Sequence, residues 1–293
     1  MTSSFSYADA DAMQWSRRGA QVLEEMVALD ADVFSVQELV RYESFAELNR
    51  SHVFLFAPKL KSPALAGGGA GDGVALFVRR SRFEVEDVGV HYFRAPSRGG
   101  SGGGSEKLSN QNAIVATLRD RACGRLLVAA ATHLKAGTAP GDEAARLWQV
   151  EQLVAHVRAA KLAAEAAGGA PVPVVIGGDF NCAPGEKPWL SLLTTLPARS
   201  AYNHLSPEGG LEAYAAGEPR FTTFKFRENP EEPTRPREKK VTEDYLFYTD
   251  ALRVASLKTL PNEESCGAYG LPAAHFPSDH LPLAAQLEWE RGL

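Results

Sequence analysis

The sequence predicts one α/β sandwich over residues 1–293. Three observations carry this. Short apolar runs bounded by turn residues recur along the chain, as buried strands do. Only two stretches are long enough and periodic enough for substantial helices. No shift in composition divides the chain, and sandwiches of this length are often single domains.

The elements follow in order. Trp15 to Leu29 reads as a helix, with Val22, Leu23, Met26 and Val27 on one apolar side. Asp30-Ala31-Asp32 ends it, and residues 33–37 form a buried strand. Further strands are expected at 53–56, 74–78, 113–118 and 126–132. Residues 142–167 are a long alanine-rich helix, with Leu147, Val150, Leu153, Val154 and Val157 at helical spacing, and Gly168-Gly169 stops it. Strands are expected again at 173–176, 246–248 and 282–287. Residues 66–73 and 98–104 read as glycine-rich surface loops, and 230–240 as a proline- and charge-rich loop.

Composition narrows the function. The chain is 44% hydrophobic and 23% charged, which is ordinary for a globular protein. No run of about 18 apolar residues is present, so no membrane-spanning helix is expected. The first residues lack a basic stretch followed by an apolar one, so no secretory signal is expected, and the cytosol is the default address with an organelle as the alternative. Cys123, Cys182 and Cys266 show no CxxC spacing and point to a reducing compartment. A net charge of −5 disfavours a grip on long nucleic acid. It favours a small anionic substrate in a local pocket, while a short single strand is not excluded.

Four motifs fall at the ends of expected strands, where a rigid sheet presents functional groups. They are Gln37-Glu38, Thr132-His133-Leu134-Lys135, Gly178-Asp179-Phe180-Asn181 and Ser278-Asp279-His280-Leu281, with Asp244 between the last two. Singly, each has a plain structural explanation: a solvated strand end, a buried histidine, turn formers, a capping pair. Together they make a phosphoryl-transfer site. Glu38 suits Mg²⁺, which takes hard oxygen ligands from one or two carboxylates plus water and phosphate; Mn²⁺ is the alternative. Asp179 is placed to orient or deprotonate the attacking water. Asn181, His133 and His280 are candidate donors to phosphate oxygens, and Asp279 is expected to hold His280 in its tautomer. No serine or cysteine sits in a convincing nucleophile setting, so direct attack by water is the simplest route.

At these residues the chain resembles the endonuclease/exonuclease/phosphatase superfamily, whose pattern runs QE, TH, GDFN, DY and SDH. Each occurs here in order, the fourth as Asp244-Tyr245. The resemblance implies a four-layered α/β sandwich of two packed, mostly antiparallel sheets flanked by helices. Within the superfamily the chain is similar to nocturnin-like enzymes, relatives of the catabolite-repression deadenylases. Residues 132–136 (THLKA), 56–59 (FAPK), 222–227 (TTFKFR) and 270–281 carry that likeness. It implies a substrate: the 2′-phosphate of NADP⁺ and NADPH, with the 3′ end of poly(A) RNA as the alternative. It also implies that Glu38 binds Mg²⁺, that Lys59 and Lys135 meet substrate phosphates, and that Arg227 lies against the adenine.

Two departures from the family pattern stand out. The family has a WN-type strand before the first helix, and its Asn helps bind the metal. No such strand is found here, so one sheet is expected to lack a central strand and expose backbone edges. The family also has Arg where this chain has Gly137. Three readings follow: an NADP(H) 2′-phosphatase, a poly(A) 3′-exoribonuclease, and a catalytically impaired paralogue. The run Arg235 to Lys240 favours the second only weakly, since acidic residues interrupt it.

Overall fold

The computed structural model describes residues 5, 7–8, 10–40, 42–62, 65, 71–95, 107–168, 170–227, 229, 232, 236–267 and 270–290. Most of the glycine-rich loops at 66–73 and 98–104 lies outside these residues. The strands are β1 Val33–Leu39, β2 His52–Pro58, β3 Gly73–Arg79, β4 Phe83–Ala95, β5 Lys107–Asp120, β6 Leu126–His133, β7 Val174–Asp179, β8 Ala198–Ser200, β9 Thr223–Arg227, β10 Arg237–Val241, β11 Asp244–Thr249, β12 Leu252–Leu257 and β13 Ala285–Trp289. The main helices are α1 Trp15–Leu29, α2 Asp142–Gly168 and α3 Lys187–Thr195. The result is a mixed α/β structure with several sheets.

The largest sheet has six strands in the order β4-β5-β6-β7-β11-β8. Only its β6–β7 pair is parallel, joined by the α2 crossover. One face packs against α2 and α3 through Phe93, Leu153, Phe180, Trp189 and Phe247, all fully buried. The other face packs against β2 and β3 through Leu76, Val78, Ile114 and Leu118. The sheet β1-β3-β2 in turn lays Phe34 and Phe77 against Met26 of α1. A separate pair, β12-β13, joins the same core as β3 through Leu252, Leu287 and Trp289. Among the described residues, β1 and β13 each have a hydrogen-bonded strand on one side only.

The helix ends follow their local chemistry. Asp30 takes a left-handed conformation at the C-cap of α1 and turns the chain into β1. Asp142 and Glu143 occupy the first turn of α2, where the helix dipole favours negative charge. Asp142 also accepts a hydrogen bond from the Ala139 amide at 2.9 Å.

Three expectations need correction. Residues 237–241 form β10 rather than loop, paired with β9 across Lys239↔Lys225. The last strand begins at Ala285, later than expected. The 13-residue β4 was not anticipated at all. It lies at the edge of its sheet and exposes Glu84, Glu86, Asp87 and Val88, so it shows no apolar run.

Candidate active site

Three neighbouring strands line up the centre of the site. His133 pairs with Asp179 in the parallel β6–β7 ladder, and Asp244 pairs with Asp179 in the antiparallel β7–β11 ladder. The three side chains therefore start from one row at the same end of the sheet. Gly178 permits the close strand approach beside them, since a Cβ there would lie 2.3 Å from the Thr132 carbonyl oxygen. His280 enters from a loop bridged to Thr223 of β9. Glu38 and Asn181 complete the rim, and both hold left-handed backbone conformations, with φ 51° and 47°. For residues with a Cβ such conformations cost roughly 1–2 kcal/mol and cluster at functional sites.

His280 is oriented by Asp244, not by Asp279 as the sequence suggested. Its Nδ1 lies 2.8 Å from Asp244 Oδ2, which also accepts from Thr222 Oγ1 at 2.6 Å. Asp279 instead accepts from Lys225 Nζ at 2.6 Å and stays 3.8 Å from His280 Nε2. Lys225 Nζ also lies 2.9 Å from His280 Nε2. Burial opposes charge on His280, but the Asp244 carboxylate outweighs it and raises the imidazole to about 9. Burial likewise opposes charge on Asp279, and Lys225 with His280 brings it down to about 2.

Asp179 behaves in the opposite way. Burial, reinforced by the negative charge of Asp244, pushes its carboxyl well above the usual range. Its Oδ1 accepts from the Asn181 amide nitrogen at 2.8 Å, and its Oδ2 lies 3.5 Å from His133 Nε2. His133 is pushed down to about 3, by burial first and then by the positive charges of Lys59 and His280, so it is neutral at pH 7. Its Nδ1 is buried without a hydrogen-bond partner. Asn181 Nδ2 donates to the Leu134 carbonyl at 3.1 Å, so one of its two amide hydrogens is committed to the backbone.

One cluster among the described residues could hold a metal ion. Asp179, Asp244 and His280 each offer a ligand atom, all within 4.8 Å of one another. The high proton affinity of Asp179 comes first from burial and then from the Asp244 charge, and a divalent cation would relieve the second of these. Glu38, expected as the metal ligand, lies outside that trio. Its side chain is 67% exposed and 3.8 Å from Lys59 Nζ.

The cationic side chains divide into two kinds. Lys59 sits 2.5 Å from Asp72, a buried partner the motifs did not reveal, and borders the same cavity as Asp179 and His280. Arg227 borders it too, with its guanidinium 5.4 Å from the centre of the Phe5 ring. Lys135 instead folds back on its own loop, 3.4 Å from Asp142. Arg146 donates to the carbonyls of Lys135 and Gly137, at 3.2 and 2.8 Å, and fixes the same loop. Gly137 has φ 125°, so a side chain at this position would strain the backbone.

Lys225 is the main residue that sequence reasoning passed over. Its signal was the alternation in β9: Phe224 packs into an apolar cluster, which turns Thr223 and Lys225 the other way, toward Asp279 and His280.

The comparisons agree with this geometry. The pattern of the Endonuclease/Exonuclease/phosphatase family matches residues 4–280. Rat (Rattus norvegicus) nocturnin is 32% identical across 97% of this chain and 61% of its own length. The Arabidopsis thaliana carbon catabolite repressor protein 4 homolog 1 is 27% identical across 96% of this chain and 54% of its own. The chain thus spans about three fifths of the length of the first of these and half of the second. Among solved structures, the human nocturnin catalytic domain with bound sulfate superposes with a TM-score of 0.72 at 28% identity, covering 95% of this chain and 88% of that one. The aligned carboxylate–histidine row and the family match lead to one assignment: the chain belongs to the Endonuclease/Exonuclease/phosphatase family, with nocturnin among its similar relatives.

Proposed function

We propose that this chain is a Mg²⁺-dependent 2′-phosphatase acting on NADP⁺ and NADPH, with residues 1–293 as one catalytic domain of the four-layered type. The observation that carries this reading is one cavity that joins the Asp179–Asp244–His280 cluster to Lys59, Lys225 and Arg227. It places cationic side chains beside the carboxylate cluster in a chain of net charge −5. The likeness to nocturnin supports the choice of substrate.

In this reading a water oxygen attacks the 2′-phosphorus and the bond from phosphorus to the ribose oxygen breaks. Asp179, in its ionised form, takes the proton from the attacking water. Charged His280, steadied by Asp244, and the neighbouring Lys225 ammonium together present positive charge to the phosphoryl oxygens as negative charge builds there. Neutral His133 donates from the adjacent strand. Lys59 holds a second phosphate and Arg227 stacks on the adenine, which a planar guanidinium does well. The Asp179 and Asp244 carboxylates, with Glu38 on the rim of the same cavity, would hold a divalent cation, Mg²⁺ or Mn²⁺, which would supply charge neutralisation at the phosphoryl group.

The poly(A) alternative draws less support. Lys239 and Lys240, from the basic run, pair with Glu243, Glu238 and Glu263 and do not form an open track.

The test is phosphate release from NADPH with Mg²⁺, for the native chain beside Glu38→Ala and Asp179→Asn. Release by the native chain alone is expected. Shortening of labelled oligo(A) without phosphate release from NADPH would replace this reading with the exonuclease. Silence toward both, from folded protein, would leave the impaired paralogue.

A further inference from the structure

We propose that Asp72 is a positioning residue for the cation site: it holds the Lys59 ammonium off Glu38, which leaves the Glu38 carboxylate to a divalent cation and keeps Lys59 aimed into the cavity. The inference rests on the reading of Glu38 as a cation ligand, and not on the choice of nucleotide.

The first observation is a lysine placed between two carboxylates. Lys59 Nζ is 2.5 Å from Asp72 Oδ2 and 3.8 Å from Glu38 Oε1. The first is a charge-assisted hydrogen bond, and the second is beyond hydrogen-bond reach. All three side chains border the cavity that also meets Asp179 and His280. A lysine ammonium carries three donors. Asp72 takes one, and the others stay available to substrate oxygens. Without the Asp72 charge, Glu38 is the carboxylate left in ion-pair range among the described residues. A full ion pair there competes with a cation for the same oxygens.

The second observation is that the fold fixes the Lys59–Asp72 pair and not Glu38. Pro58 pairs with Gly73 at the end of the β2–β3 ladder, and the Lys59 amide donates to the Asp72 carbonyl at 2.8 Å. The two residues therefore face each other just past the strand ends. Gly73 permits this, since a Cβ there would lie 2.3 Å from the Ala57 carbonyl oxygen. Tyr92 Oη donates to the Pro58 carbonyl at 2.7 Å, and Asn112 Nδ2 to the carbonyls of Ala57 and Pro58 at 3.3 and 3.2 Å. These bonds tie the end of β2 to β4 and β5. The Lys59 and Asp72 side chains are 14% and 13% exposed, against 67% for Glu38.

The third observation is how the Asp72 carboxylate is itself held. Oδ1 accepts from Ser62 Oγ, which in turn accepts from the Asp72 amide at 3.0 Å, and Oδ2 accepts from Lys59. Burial opposes charge on Asp72, but the hydrogen bonds from Lys59 and Ser62 outweigh it and hold the carboxyl below its ordinary range. With both oxygens engaged, Asp72 serves the cation through Lys59 and not as a ligand.

The experiment titrates the full chain with Mn²⁺, free ion being read by electron paramagnetic resonance, with no nucleotide present. The variants are Asp72→Asn, Lys59→Ala, the two together, and Ser62→Ala, each alongside its circular dichroism spectrum. Asp72→Asn should raise the Mn²⁺ Kd by about 10- to 100-fold, the range for losing a partner that orients a metal ligand. With Lys59→Ala already in place, the same change should shift Kd by about twofold or less, because no ammonium is left to divert. Ser62→Ala keeps the Asp72 charge but loosens it, and should weaken binding in the same direction by less. An unchanged Kd in folded Asp72→Asn would overturn the proposal. So would equal weakening with and without Lys59, which would mean that the Asp72 charge acts on the cation directly. If Asp72→Asn does not fold, Ser62→Ala with and without Lys59→Ala decides by the same comparison. A native chain that binds no Mn²⁺ would remove the cation reading and this inference with it. Failure to hydrolyse NADPH would leave the titration, and the inference, standing.

Discussion

Asp244 reaches His280 Nδ1 at 2.8 Å and accepts from Thr222 at 2.6 Å, so one carboxylate oxygen fixes the imidazole's orientation and charge. Asp244→Asn should remove that charge preference and lower kcat by about 10²- to 10³-fold, the range for losing one positioned donor to developing charge. Phosphate release kinetics would measure the loss, and an NMR titration should show His280 returning toward its ordinary range. The same residues set a pH dependence. His280 is raised from 6.5 to about 9, so its contribution to stability is full below 6.5 and is lost as pH rises through 9. Asp179 is also raised, and an acid that gains proton affinity on folding likewise favours the folded state at lower pH. Urea unfolding in EDTA should therefore show stability falling between pH 6.5 and 9, with a shallower fall in Asp244→Asn. Stability that rises across that window would contradict the assignment.

At the scale of elements, the site depends on how closely β6, β7 and β1 approach one another. A Cβ on Gly178 would meet the Thr132 backbone oxygen at 2.3 Å, and a backbone atom cannot swing away. Gly178→Ala should destabilise by about 1–3 kcal/mol in urea titration, the usual cost of overpacking, and should reduce kcat by displacing Asp179. β1 is tied to β7 by Ser35 Oγ, which donates to the Gly177 carbonyl at 2.8 Å and accepts from Gln37 Nε2 at 2.8 Å. Ser35→Ala should cost about 1 kcal/mol, with the substrate KM little changed. A loss indistinguishable from zero would mean that the two layers are held by apolar packing alone.

At the scale of the whole molecule, a cation held by the buried carboxylates at the cavity would couple folding to cation binding. A ligand that binds only the folded state stabilises it by about 2.7 kcal/mol at 100 times its Kd. Calorimetry should show the melting temperature rising with Mg²⁺ and falling with EDTA, and Asp179→Asn should respond much less. An Mg²⁺-insensitive native chain would remove the cation from the site. Among the described residues no helix is long and apolar enough to cross a membrane. The molecule's largest apolar clusters lie between the six-stranded sheet and its helices and between that sheet and β2–β3.

The sequence by itself determined the motifs, their order, the family and most of the buried strands. These are legible because a strand covered on both faces, such as Leu126–His133, is apolar at every position or nearly so, and because chemistry at phosphorus accepts few residue types. Edge strands were hidden: Phe83–Ala95 alternates apolar with charged and glycine residues, since one of its sides meets solvent. Partnerships were hidden as well. Asp279 is adjacent to His280 in sequence, yet Asp244, 36 residues away, holds the ring. Lys225 and Asp72 entered the site for the same reason. Which carboxylate meets which cation depends on strand register and on how two sheets stack. Those are long-range contacts, which only the folded chain decides.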